Sequence, residues 1–112
     1  MRGGTRRHGK GWGWFFSAPD PATGKRRFYS RNGFPTKKAA QEALSGVANA
    51  RATVLAGFTT VRDVGTFRAF VDVALRDAIR DGTVLGPRMA VAGAYVTVPG
   101  GGGAITGLAH DI

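Results

Sequence analysis

Basic side chains crowd the segment between residues 25 and 38, where their types and spacing suit the binding of anions. Because alternate residues of a strand share a face, a strand here would carry two sets of side chains. One set is Lys25, Arg27, Tyr29 and Arg31, and the other is Arg26, Phe28 and Ser30. A row of cations attracts phosphates, and arginine can hydrogen-bond to guanine in the major groove of DNA. The alternative is a solvated basic edge without a partner, and charge alone does not separate the two interpretations.

Residues suited to catalysis are few. A hydrolytic metal site needs three or more converging His, Asp, Glu or Cys ligands, whereas the chain has no cysteine and two widely separated histidines, His8 and His110. Asp63 lies at the end of a predicted strand, where catalytic groups of α/β enzymes lie, but the neighbouring Arg62 favours a paired or solvated charge. The glycines from Gly100 to Gly103 lack the Lys-Ser/Thr helix start of a phosphate-binding loop, which favours a flexible loop. We therefore expect neither a metal nor a cofactor.

The positive charge belongs to one half of the chain. The net charge of the 112 residues is +9, and residues 1–50 hold ten Lys+Arg against two Asp+Glu, whereas residues 51–112 hold six against five. This change predicts two small units joined near residue 50, and the length excludes a large catalytic domain. No apolar run approaches the roughly 18 residues of a membrane helix, and no secretory signal is recognisable. Together with the lack of cysteine, this predicts a cytoplasmic protein that does not contact a membrane.

A small antiparallel sheet with one helix is predicted for the first half. Residues 1–11 are polar and rich in glycine, and are predicted to form a flexible basic arm. Strands are predicted over residues 12–17 and 25–31, a turn over residues 19–24, and a short extended piece at Phe34-Pro35.

Thr36 is the predicted N-cap of the helix. The helix either ends at Ser45-Gly46 or continues through Val54 and Leu55 to Gly57, and we favour continuation. Lysines at 37 and 38 oppose the helix dipole, so they are interpreted as serving something other than stability. Trp14, Phe16 and Phe28 are expected to pack on this helix, which would leave the Arg27 set of side chains on the other face of the sheet.

The second half is predicted to fold as a strand, a helix and a second strand. A β-branched strand is predicted over residues 58–64, an amphipathic helix over 66–81 and an apolar strand over 88–98. This order predicts a βαβ unit with a parallel strand pair and a right-handed crossover.

One family resemblance covers about residues 10–48. The motifs are Gly11-Trp-Gly-Trp-Phe-Phe, Asp20-Pro-Ala-Thr-Gly-Lys-Arg-Arg and Gly33-Phe-Pro-Thr-Lys-Lys-Ala-Ala-Gln-Glu-Ala-Leu44. This stretch resembles the N-terminal arm-type DNA-binding domain of phage-type integrases (tyrosine recombinases). The resemblance implies a three-stranded sheet laid in the major groove with one helix behind it. It places Lys25, Arg26 and Arg27 on the strand that meets DNA, and Lys37 and Lys38 near backbone phosphates, but the remaining residues hold no recombinase catalytic domain.

A second resemblance covers about residues 49–112. Its motifs include Gly57-Phe-Thr-Thr-Val-Arg-Asp-Val-Gly65, Asp72-Val-Ala-Leu-Arg-Asp-Ala-Ile79 and Ala92-Gly-Ala-Tyr-Val-Thr-Val-Pro-Gly-Gly-Gly-Gly103. This part resembles an early segment of the imidazolonepropionase-like, metal-dependent amidohydrolases. The resemblance implies one piece of a (β/α)8 barrel, a fold of about 250 residues. The metal-binding residues of that family lie on strands with no counterpart here, so none is carried over.

The sequence thus predicts a mixed α/β chain made of a basic arm (1–11), an arm-type DNA-binding domain (12–48) and an inactive amidohydrolase-barrel fragment (49–112). Double-stranded DNA is the predicted partner, and no residue is assigned to catalysis. The predicted DNA-binding residues are Lys25, Arg26, Arg27, Tyr29, Arg31, Lys37 and Lys38. The alternatives are a truncated amidohydrolase acting on C–N bonds and a fusion product without a selected function. The incomplete βαβ unit is expected to self-associate or to dock on the helix of the first unit.

Overall fold

A three-stranded sheet, two helices and a short strand pair make up the computed structural model, which describes residues 2–66, 70–98 and 100–101. The elements are β1 (Arg2–His8), β2 (Gly11–Pro19), β3 (Arg26–Phe34), α1 (Lys37–Leu55), β4 (Thr60–Arg62), α2 (Val71–Arg80) and β5 (Arg88–Ala90). The predicted mixed α/β class, with an antiparallel three-stranded sheet and a helix at the N-terminus, is confirmed. His110 and the last two glycines of the run, Gly102 and Gly103, lie outside the described residues.

The sheet has the order β1-β2-β3, and both strand pairs are antiparallel. The turn between β2 and β3 forms as its residue types predict. Asp20 accepts a hydrogen bond from the backbone N–H of Ala22 at 2.8 Å, and Gly24 takes the positive φ of 71° that a glycine adopts without strain.

The prediction of a flexible arm over residues 1–11 was wrong. Residues 2–8 form strand β1, which pairs along the whole of β2 from Arg2 opposite Ser17 to His8 opposite Gly11. The third strand of the sheet is therefore β1 rather than the Phe34-Pro35 piece, since Phe34 belongs to the end of β3. A polar segment can form a strand here because the neighbouring strand supplies both the hydrogen-bonding partners and the buried side chains.

Helix α1 begins and continues as predicted. The Thr36 side chain accepts a hydrogen bond from the backbone N–H of Ala39 at 3.1 Å, and the helix runs through Gly46 to Leu55. A Cβ at Gly46 would lie 3.6 Å from the Leu75 side chain of α2, an ordinary van der Waals distance, so α1 and α2 meet at this position without requiring a glycine. Gly57, with φ of 100°, follows the helix end.

One hydrophobic core joins the two halves of the chain. Trp14, Phe16 and Val47 are buried together with Ala78 and Val84, which lie in and just after α2. Helix α1 packs on the sheet and α2 packs against α1. Of the two outcomes expected for the second unit, docking on the first is therefore observed, and self-association stays a prediction.

The second half contains the predicted parallel pair, but its strands are short. Val61 of β4 lies opposite Met89 of β5, and only three residues of each strand pair, where the sequence predicted strands over residues 58–64 and 88–98. Beyond β5, Val96 and Val98 are exposed, because a two-stranded sheet offers no further strand to pair with them. The buried Asp72 carboxylate accepts a hydrogen bond from the backbone N–H of Gly93 at 2.8 Å and so ties α2 to the segment after β5.

Helix α2 begins at Val71 and not at the predicted residue 66, and residues 67–69 lie outside the described part of the chain. The arrangement is one strand, one helix and one parallel strand, and no larger barrel is present among the described residues.

Candidate nucleic-acid interface

The sheet has two faces, and the strand register assigns each side chain to one of them. The face that packs on α1 carries Trp14, Phe16 and Ala18, each no more than 2% exposed. We call the opposite side the open face. Its side chains are Arg2, Arg6 and His8 from β1, Phe15 and Ser17 from β2, and Arg26, Phe28 and Ser30 from β3.

The predicted alternation along β3 is confirmed, but the side assigned to each set was wrong. Tyr29 lies opposite Phe16, with the two ring centroids 6.2 Å apart, and it packs on the core. Phe28 lies opposite Ser17 and is 57% exposed. Because the partner of each residue decides its face, Phe28 belongs to the open face, and Arg27, Tyr29 and Arg31 lie on the helix side.

Arg27 makes contacts within its own hairpin. Its guanidinium carbon lies 5.1 Å from the centre of the Tyr29 ring, and its Nη1 lies 3.9 Å from a carboxylate oxygen of Asp20. Both contacts hold the side chain along the hairpin and away from the open face.

Arg31 connects the sheet to the second half of the chain. Its Nη2 donates to a carboxylate oxygen of Asp81 at 3.0 Å and lies 3.4 Å from the Thr83 hydroxyl. The pKa of Asp81 lies below its usual value, because the Thr83 hydroxyl and backbone N–H donate to the carboxylate and Arg31 adds a further hydrogen bond and its charge. Arg31 therefore already has an anionic partner within the chain.

The centre of the open face is aromatic and its surroundings are cationic. The rings of Phe15 and Phe28 stack with centroids 6.3 Å apart and planes 16° apart. The Arg6 guanidinium carbon lies 5.9 Å from the centre of the Phe15 ring. Arg2, Arg6 and Arg26 are exposed, and the ion pairs found between described residues involve other arginines.

The start of α1 adds a second group of cations beside the sheet. The first turn holds no acidic residue. The Lys37 ammonium lies 5.8 Å from the Trp12 ring centre, and the Arg7 guanidinium carbon lies 5.9 Å from the same centre. Lys37 and Lys38 are exposed, and both stand where the helix dipole disfavours a positive charge.

The sheet with the basic open face and the helix behind it lie largely within the part of the chain that matches a known protein family. Residues 5–49 match the Arm DNA-binding domain family. The match runs from Thr5 in β1 through β2 and β3 into α1, and it supports DNA as the partner of this part of the chain. A comparison with curated proteins gives no match. The family match ends before the segment that resembles an amidohydrolase and has no bearing on it.

Within the part of the chain that matches this family, the seven predicted DNA-binding residues do not share one surface. Arg26 lies on the open face, and Lys25 is exposed at the end of the turn beside it. Lys37 and Lys38 lie at the start of α1, whereas Arg27, Tyr29 and Arg31 lie on the helix side of the sheet.

The sequence reasoning missed Arg2, Arg6 and Phe15 as residues of the same face. Even spacing of Arg2, Arg6 and His8 was the available signal, because side chains two or four residues apart share a strand face. It went unused because the segment was predicted to be an arm.

The described part of the chain holds neither a cluster of metal-ligating residues nor a membrane-spanning helix. No group of three or more metal-ligating His, Cys, Asp or Glu residues occurs in residues 2–66, 70–98 and 100–101. Neither helix of that part is long and apolar enough to cross a membrane.

Proposed function

We propose that the chain binds double-stranded DNA through the open face of its Arm DNA-binding domain and carries out no catalysis. The observation that carries the proposal is the set of exposed arginines on this face, Arg2, Arg6 and Arg26, for which no ion pair is found among the described residues. In this respect they differ from Arg27 and Arg31, which have acidic partners.

The dimensions of the sheet suit the major groove. Neighbouring strands lie about 4.8 Å apart, so three strands are about 10 Å wide between the outer backbones. The major groove of B-DNA is about 12 Å wide and admits a two-stranded β-ribbon, and the three backbones of this sheet span slightly less than that width. With the open face towards the bases, we assign Lys25, Lys37 and Lys38 to backbone phosphates. For Lys37 and Lys38 this assignment is also the one that the resemblance to integrase domains implies. Arg27, Tyr29 and Arg31 are assigned to the sheet's own packing.

The proposal is tested by duplex binding across a salt series, measured by fluorescence anisotropy. Affinity of the full chain is expected to fall steeply with salt, because each neutralised phosphate releases counterions. The double variant Arg6→Ala plus Arg26→Ala is expected to bind at least tenfold more weakly. The salt slope, which is the slope of log affinity against log salt concentration, is expected to become shallower by about one unit for each lost arginine that contacts a phosphate.

The double variant Arg76→Ala plus Arg80→Ala removes the same charge from α2 and serves as the control, since both residues lie far from the sheet in sequence and Arg76 pairs with Asp77. It is expected to leave the affinity nearly unchanged. Equal losses in the control and in the open-face variant would contradict the assignment of this face, and no duplex binding by the full chain at low salt would overturn the proposed function.

The proposal extends to the origin of the second half. We infer that residues 49–112 are a fragment of an amidohydrolase barrel that lacks its metal ligands and serves here as a structural cover for α1. The support is the parallel pairing of β4 and β5 with α2 between them, together with the burial of Ala78 and Val84 in the shared core. A cytoplasmic location stays a prediction.

A further inference from the structure

Two phenylalanines stand in the middle of a surface that is otherwise polar. Phe28 is 57% exposed, and its ring stacks on Phe15 at 6.3 Å. The core does not need these rings, because Trp14 and Phe16 fill the helix side of the same sheet. Large apolar side chains grouped on an exposed surface are typical of a contact site.

A neighbouring glycine shapes this aromatic pair. Gly4 lies opposite Phe15 in the adjacent strand, and a Cβ at Gly4 would come within 3.1 Å of the Phe15 ring. The ring therefore lies over the backbone of β1 and not upright. At Gly13, two residues before Phe15, the Asn32 side chain of β3 fills the space above the backbone. The rings thus form a low apolar surface over Gly4, and Arg6 lies beside it.

The bases of duplex DNA offer one apolar group in the major groove, which is the 5-methyl group of thymine. An apolar side chain that enters this groove contributes most to binding where it covers a methyl group. Where it covers a polar base-edge atom instead, that atom loses its hydrogen bonds to water. Base pairs stack about 3.4 Å apart, so ring centroids separated by 6.3 Å reach over about two base-pair steps.

We infer that Phe15 and Phe28 contact thymine methyl groups and give the domain a preference for thymine-containing steps at the centre of its DNA site. This inference rests on the proposed function, since it needs the open face to lie in the major groove. Phosphates and guanines remain the partners of the surrounding arginines. Sequence preference then comes from the aromatic pair as well as from hydrogen bonds.

The experiment uses the full chain and a duplex selected by it from a random pool at moderate salt. The same duplex is then made with deoxyuridine in place of thymidine, which removes only the methyl groups. Burial of one methyl group corresponds to about a fourfold change in affinity, so the uridine duplex is expected to bind about 4- to 15-fold more weakly. Phe28→Ser, at an exposed position, is expected to reduce this difference, with circular dichroism as the check of folding.

The outcomes separate the inference from the proposed function. Equal affinity for the thymidine and uridine duplexes would overturn the inference and leave duplex binding intact. A thymidine preference that survives unchanged in both Phe28→Ser and Phe15→Ser would overturn it as well. Tighter binding of single strands than of the duplex would also overturn the inference, because the rings would then stack on unpaired bases. No binding to any duplex would remove the proposed function and the inference together.

Discussion

The pairing of Phe16 with Tyr29 determines which side chains of β3 are free to meet a ligand. Adjacent residues of a strand point to opposite faces, so a shift of one residue would exchange the two sets. Arg26 and Arg27 therefore carry the same charge at neighbouring positions but face opposite sides of the sheet. They provide a matched test of the face.

Arg26→Ala is expected to weaken duplex binding more than Arg27→Ala does. Arg26 lies on the open face, and its removal is expected to lower the salt slope by about one unit if it contacts a phosphate. Arg27 is held near Tyr29 and Asp20, so its removal is expected to affect contacts within the β2–β3 hairpin and not contacts with DNA. The comparison is made by titrating both variants with one duplex at several salt concentrations. An equal loss of affinity in the two variants, or a larger loss in Arg27→Ala, would contradict the assignment of the open face to DNA.

The alternation of β3 could be predicted from residues 25–31, because it depends only on strand geometry. Its side could not, because the choice depends on register with β2. That register follows from the length of the turn after Pro19, because pairing runs without a shift from Pro19 opposite Arg26 to Gly13 opposite Asn32. The turn length leaves no pattern in β3 itself.

Contacts between elements explain why strand β1 was missed while α1 was predicted well. The start of α1 depends on local chemistry, since Thr36 caps it from three residues away. Residues 2–8 have no apolar alternation, and their strand exists only through pairing with β2. Local signals identify a helix cap, but an edge strand made of arginine and glycine is recognised only once its neighbour is known.

The link between β3 and the end of α2 predicts a small dependence of stability on pH. The carboxyl of Asp81 has an ordinary pKa of 3.8, which the fold lowers, mainly through hydrogen bonds from Thr83 and also through Arg31. A lowered pKa means that the folded state favours the carboxylate, so the stabilisation is present above the ordinary pKa and is lost as pH falls through the folded-state value.

Asp81→Asn is therefore expected to be slightly less stable than the parent chain near neutral pH. The difference is expected to shrink as pH falls below 3.8, and urea unfolding at several pH values measures it. The effect is small because the groups are exposed and screened by water. A difference that stays constant from neutral to acid pH would show that ionisation of Asp81 does not contribute.

At the scale of the whole molecule, the change in composition near residue 50 does not mark a folding boundary. Helix α1 passes through this point, and Ala50 is 6% exposed within it. Residues of α2 complete the core begun by β2 and α1. Charge and motif content could be predicted from the sequence, but shared burial could not, because each half carries its own plausible apolar pattern.

Leu75→Ala in α2 is expected to lower the unfolding midpoint reported by tryptophan fluorescence. Both tryptophans, Trp12 and Trp14, lie in β2, so the probe lies in one half and the substitution in the other. Truncation of a packed leucine costs about 2 kcal/mol or more. Val96→Ala is the control, since this valine is fully exposed and its truncation is expected to change little. An unchanged fluorescence transition in Leu75→Ala, or two separate transitions in the parent chain, would show that the halves unfold independently.

The length of α1 limits how this DNA-binding unit can be moved between proteins. The family match ends at residue 49, yet the helix continues to Leu55 and ends before Gly57. A cut at the family boundary would leave the last carbonyls of the shortened helix without their backbone partners and remove the buried Ala50. A recombinant fusion that borrows the domain should therefore not stop at residue 49. Keeping the chain through Gly57 finishes the helix, and keeping it through Val84 also retains the side chains of and after α2 that complete the core.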